Sequence, residues 1–146
     1  MNDHHLILRV ITRMLTGPIL LFGLYVQFHG DYGPGGGFQA GVIFAVGFIL
    51  YGIVFSLRDL RRLIPDWIIH KLVALGVLLY AGTGIVSMLL GANFLDYNPL
   101  AGTPIGGQHL GILLVEAGVG ITVFAVMLAI YYAFAGRPPS LNDEDW

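Results

Sequence analysis

At 146 residues the chain is one domain's length, 56% of it is hydrophobic, and its mean hydropathy is +0.78. Charged residues make up 11%, against about 25% in an ordinary soluble domain, too few to cover the surface of a small water-soluble fold. A net charge of −2 gives no electrostatic footprint for nucleic acid, and the absence of cysteine removes disulfides, iron–sulfur clusters and cysteine-held zinc.

The composition predicts an all-α integral membrane protein, and the apolar runs predict four transmembrane helices. A helix needs about 20 apolar residues to cross a bilayer core. Residues 14–28 are an apolar run of only 15. They reach spanning length over 6–28 if Arg9 and Arg13 snorkel to the interface. Two arginines before an apolar run also describe a signal peptide. Here "VQFHGDYGPG" follows instead of a small-x-small cleavage site, so a mature helix is expected. The second span is predicted at 38–57, the third at 70–92, and the fourth at 109–135, interrupted once by Glu116.

Lys and Arg fix the expected orientation. All 7 lie at the N-terminal end, in the second loop or in the tail, and none lies in the loops 29–37 and 92–108. Both termini are therefore expected to be cytoplasmic, with "GPGGG" and "NPLAGTPIGGQH" on the outer side. The second loop, "SLRDLRRLIPDWIIH", is amphipathic. Pro65 should break it, Trp67 has the character of an interface anchor, and docking on lipid or on a partner subunit both fit. Residues 137–146 form an acidic tail expected to be solvated on the cytoplasmic side, beyond a membrane domain over 1–136. No internal repeat stands out.

"HGDYGPGGGFQAG", residues 29–41, breaks the apolar pattern. Gly33, Gly35, Gly36 and Gly37 permit positive φ and close backbone approach, and Pro34 stiffens the turn. A phosphate-cradling loop would need a Gly-Lys-Ser/Thr ending or a preceding strand, and this loop has no basic residue at all. Backbone packed against another helix or subunit is the better expectation, since irregular backbone at membrane depth must be buried in protein or line a cavity. The run continues into the close-packing pattern Gly37-x-x-x-Gly41. Ala117, Ala125, Ala129 and Ala133 in the fourth span, and Gly76, Ala81, Gly82 and Gly84 in the third, extend the small-residue theme. With only four helices, some of these faces are expected to meet partner subunits.

Glu116 is the one acid inside a span. A carboxylate there must face protein or water, pair, or be protonated. His109, seven residues earlier, falls on nearly the same face, and Gly120, one turn later, leaves room beside the carboxyl. Glu116 and His109 are thus candidates for an ion path; a polar clamp to a neighbouring helix, or a solvated group near the interface, are the alternatives. Gln39 is expected to hydrogen-bond the glycine loop. His29 and His109 lie at similar depth, but at the interface rather than within a span, which disfavours a haem clamp. His4 and His5 are expected to be solvated. No cofactor and no metal is expected, and no catalytic constellation of an intramembrane hydrolase is visible.

"HGDYGPGGGFQAGVIFAVGFIL" closely resembles the signature of the MnhB/MrpB family, small subunits of the Mrp-type multisubunit Na⁺/H⁺ antiporters of bacteria and archaea. The core of the resemblance is Pro34, Gly35, Gly36, Gly37, Phe38, Gln39 and Gly41; "HLGILLVEAGVGITV", with Glu116, is similar to the family's fourth helix. The resemblance implies a heteromeric complex in the prokaryotic cell (inner) membrane that exchanges Na⁺ or another monovalent cation for H⁺. Its partners would be the other Mrp subunits and the lipid bilayer. The family's large subunits carry lysine–glutamate relays, whereas the single lysine here, Lys71, lies at the predicted cytoplasmic edge. The small subunit is thereby implied to serve assembly and a share of the cation path. Related domains occur in membrane-bound hydrogenase complexes, which makes a redox-driven complex the alternative parent.

Overall fold

The computed structural model describes residues 3–30 and 35–137, with side chains from Leu6 onward. Pro34 and Gly33 of the glycine loop, Asp31, the side chains of His4 and His5, and the tail from 138 lie outside the described residues. Among the described residues five α-helices follow in order: α1 (Asp3–His29), α2 (Gly37–Val54), α3 (Leu57–Leu63), α4 (Asp66–Leu89) and α5 (Pro104–Ala135), with a 3₁₀ turn at Asn98–Leu100 before α5. Four of them are long and apolar enough to cross a membrane: α1 from Leu6, α2, α4 and α5. The chain is a multi-pass membrane protein.

The helices pack as a row, α1–α2–α5–α4, in which α5 is sandwiched and α1 touches it only lightly. The row leaves large apolar side chains facing outward, among them Leu21, Leu78, Leu89 and Phe134. In water such a surface would aggregate; against lipid tails it is the natural outer wall. What holds the row together is close approach at small residues. Gly37 and Gly41 of α2 lie on the backbone of Glu116 and Gly120 of α5, where a Cβ on Gly41 would come within 2.6 Å of the Gly120 carbonyl oxygen. Gly76 of α4 meets Gly118 and Thr122 of α5 in the same way. Several stripes expected to await partner subunits are therefore used inside the chain, although Gly82 has open space beside it and Ala133 is exposed.

Helix ends differ from the hydropathy runs for local reasons. Ser56 caps α3, its Oγ accepting from the Asp59 amide at 3.1 Å, so α2 stops at Val54 rather than running to 57. Pro65 ends the short helix as expected, and α4 starts directly after it. Thr103 caps α5, accepting from the Gly106 amide at 3.2 Å, with Pro104 at the first turn. This starts α5 several residues before 109 and makes it 32 residues, about 48 Å, long. The loop between α4 and α5 folds back on glycine sockets: the Phe94 ring fills the space beside Gly84, and Tyr97 packs on Gly107 and Gly111. Burial, with Tyr80 beside it, holds the Tyr97 phenol above its ordinary pKa.

The largest buried side chains gather at the other end of the row, where Leu60, Ile69 and Leu128 are fully buried beside Tyr132. The Tyr132 hydroxyl donates to the Ile64 carbonyl at 2.8 Å, tying the α3–α4 corner to α5.

Candidate functional site

The glycine loop and Glu116 form one unit. The Gly36 amide donates to the Val26 carbonyl at 3.2 Å, which turns the chain back over the end of α1, and the Gly36 carbonyl starts α2 by accepting from the Ala40 amide at 3.1 Å. Gly36 has φ +124°, a conformation that side chains rarely adopt. The described glycines close on the Glu116 side chain. A Cβ on Gly30 would stand 2.9 Å from both carboxylate oxygens, and one on Gly36 would stand 3.0 Å from Oε1. A Cβ on Gly37 would overlap the Glu116 carbonyl oxygen. These glycines, expected to pack on another helix or on a partner subunit, lie against α5 of the same chain.

Glu116 and His109 line a common cavity of about 380 Å³ between α1 and α5, together with Gln27, Phe28, Leu110 and Leu113. Gln27 also lines a neighbouring space of about 340 Å³ deeper in the same crevice, beside Gly41 and Gly120. Its amide is the group that sequence reasoning missed. A Cβ on Gly120 would lie 2.8 Å from Gln27 Oε1 and 3.1 Å from the Gly37 carbonyl oxygen. The room that Gly120 leaves is thus taken by Gln27 and the backbone of α2. Gln27 Nε2 is buried without a hydrogen-bond partner among the described residues, an exception of the kind that marks a place for water or a polar partner. A glutamine in an apolar run near a helix end has the look of an ordinary interface residue. Only its proximity to Gly120 and Glu116, set by the packing of α1 and α5 on α2, distinguishes it.

Depth follows from the same geometry. Gly37, the first residue of α2, sits on the backbone of Glu116, so the carboxylate is level with the start of that span. Because α5 begins at Pro104, Glu116 lies about three turns inside its own helix, not the two turns counted from 109. His29 stacks on Tyr25, with ring centroids 4.9 Å apart, at the end of α1. Gln39 is exposed, its Oε1 3.7 Å from where a Cβ on Gly36 would be, and Phe38 beside it is exposed too. The first turn of α2 therefore turns Gly37, Ala40 and Gly41 inward and Phe38 and Gln39 outward.

The arrangement offers a carboxylate, an imidazole and an amide around a space large enough for several waters. A carboxylate can bind a cation or carry a proton, an imidazole can do the second, and an amide oxygen can ligate a dehydrating cation.

The comparisons with known proteins bear on the family of the chain. A family model described as "Domain related to MnhB subunit of Na+/H+ antiporter" matches residues 7–129. That match includes Gln27, the glycine loop, His109 and Glu116. A protein of Staphylococcus haemolyticus that carries the name antiporter subunit mnhB2 is 34% identical over 144 residues, covering 93% of this chain and 98% of its own length. A protein of the same name from Staphylococcus aureus strain Newman is 34% identical over 140 residues with the same coverage. The chain belongs to the MnhB family.

Proposed function

We propose that this chain is the small MnhB-type membrane subunit of a multisubunit antiporter that exchanges Na⁺, or another monovalent cation, for H⁺. Its role is to hold the complex together and to contribute Glu116, with His109 and Gln27, to the ion path. The observation that carries the reading is a carboxylate within a membrane-spanning helix, cradled by three glycines and set in the wall of a cavity that also holds an imidazole and an amide. Ionisable groups at such depth are costly and mark ion pathways. The family match and the names of its relatives supply the antiporter context. Those names favour it over a redox-driven parent complex.

The other antiporter subunits are the partners. Phe38 and Gln39, turned outward beside the buried glycines, are the side of the loop offered to them. The placing of all 7 Lys and Arg residues supports an orientation with both termini in the cytoplasm, and the family match supports a prokaryotic cell (inner) membrane as the setting. Deleting this chain from the complex should leave everted vesicles without Na⁺-dependent proton exchange and restore it on complementation. Full exchange without the chain would refute the assignment.

A further inference from the structure

The end of the row opposite Glu116 holds a cavity that the antiporter reading does not use. It has a volume of about 490 Å³ and is lined by Leu57, Arg58, Arg61, Arg62, Ala135 and Gly136. The spacing of the three arginines, i, i+3 and i+4, brings them to one side of α3. The helix that carries them is firmly held. Ser56 caps it, Leu60 is fully buried beneath it, and Tyr132 grips the Ile64 carbonyl just after it. Arg61 lies over the Tyr132 ring at 5.3 Å, and its Nη2 is 3.2 Å from where a Cβ on Gly136 would be.

Among the described residues the charges in the pocket are not cancelled. Arg61 Nε pairs with Asp66 at 3.5 Å, and Arg62 Nη1 pairs with Asp59 at 3.6 Å, both exposed pairs. Arg58 makes no ion pair among the described residues. Three guanidinium groups against two carboxylates leave the pocket positive. The rest of this end adds to the field: Arg9 and Arg13 lie 5.7 and 5.0 Å from the Phe55 ring, Lys71 lies 4.6 Å from the exposed Trp67 ring, and Arg137 follows α5.

We propose that this pocket binds the phosphate headgroup of an anionic phospholipid such as phosphatidylglycerol. Guanidinium groups match phosphate oxygens in paired hydrogen bonds, and basic pockets beside the ends of spanning helices suit anionic lipid headgroups. The apolar walls favour a lipid over a free anion. Leu57 and Ala135 line the pocket, and Ile53 and Phe134, on the adjoining ends of α2 and α5, are 68% and 71% exposed. A headgroup in the pocket would leave its acyl chains against those side chains.

The test uses the full-length chain with the subunits that co-purify in mild detergent. Native mass spectrometry counts retained lipid after exposure to phosphatidylglycerol or phosphatidylcholine. Wild type should retain phosphatidylglycerol and not phosphatidylcholine. The double variant Arg58→Gln/Arg62→Gln should retain at least tenfold less, and Arg137→Gln should match wild type. Arg61 is left in place because it also braces Tyr132; Arg58→Gln alone, at an exposed position, should lower retention several-fold if the double variant assembles poorly. Equal retention by wild type and Arg58→Gln would overturn the proposal. Displacement of the lipid by millimolar inorganic phosphate would overturn it in favour of a free anion. Retention that appears only after removal of residues 138–146 would overturn it in favour of the chain's own acidic tail.

Discussion

Replacing Gly37 with alanine adds one methyl group where two helix backbones already touch. The new Cβ would overlap the Glu116 carbonyl oxygen and lie 2.7 Å from its carbon and 3.0 Å from Cα. Ordinary carbon contacts need about 3.5–4.0 Å, so α2 and α5 must part by roughly 1 Å. Every obstacle is helix backbone, which cannot swing aside as a side-chain tip would. Overpacking of this kind costs about 1–3 kcal/mol, and the gap also forfeits a quarter to a half of the attraction at each facing contact, through to Gly41 and Gly120. Alanine returns at most about 1 kcal/mol of helix propensity, and less in a first turn. The net loss should be about 2–3 kcal/mol, and the thermal midpoint of the purified protein should fall by roughly 5–10 °C. Gly82→Ala is the control. It has open space beside it, so alanine should leave the midpoint unchanged or slightly raised. A Gly37→Ala protein as stable as wild type, or a Gly82→Ala protein equally damaged, would refute the close-packing argument.

Gly36→Val should be at least as harmful, because a β-branched residue is forced to φ +124° with its Cβ 3.0 Å from Glu116 Oε1; recovery of the complex on native gels should drop severalfold, and normal recovery would contradict the cradle. Gln27→Leu removes a buried amide whose Nε2 has no partner among the described residues, so stability should hold or rise by about 1 kcal/mol while cation exchange falls. Exchange at the wild-type rate in that variant would take Gln27 off the path. Tyr132→Phe leaves the Ile64 carbonyl without its 2.8 Å hydrogen bond, and should cost about 1 kcal/mol, read as a lower thermal midpoint with exchange retained.

The four spans were legible because hydropathy over 20 residues depends little on packing. Glu116 was legible for the opposite reason: a lone charge in such a run violates the pattern. The glycines announced a close approach but not its target, since nothing in "GPGGG" says that a carboxylate about 80 residues further along the chain will lie beneath it. Gln27 and the Phe94 and Tyr97 sockets were hidden because polar and aromatic residues near span ends are commonplace in interfacial belts. The start of α5 was hidden by Gly106 and Gly107, which dilute hydropathy, although Thr103 and Pro104 carried a capping signal that hydropathy ignores. Seven residues of α3 were too few for periodicity to separate from a loop, and it is Ser56 and Pro65 that define them.

Glu116→Gln keeps the shape of the side chain and removes its charge and its ability to titrate. In everted vesicles carrying the whole complex, with assembly checked on native gels, Na⁺-dependent proton exchange should be lost while the complex remains intact. An intact complex that exchanges at the wild-type rate would make Glu116 a structural clamp and move the ion path to the partner subunits.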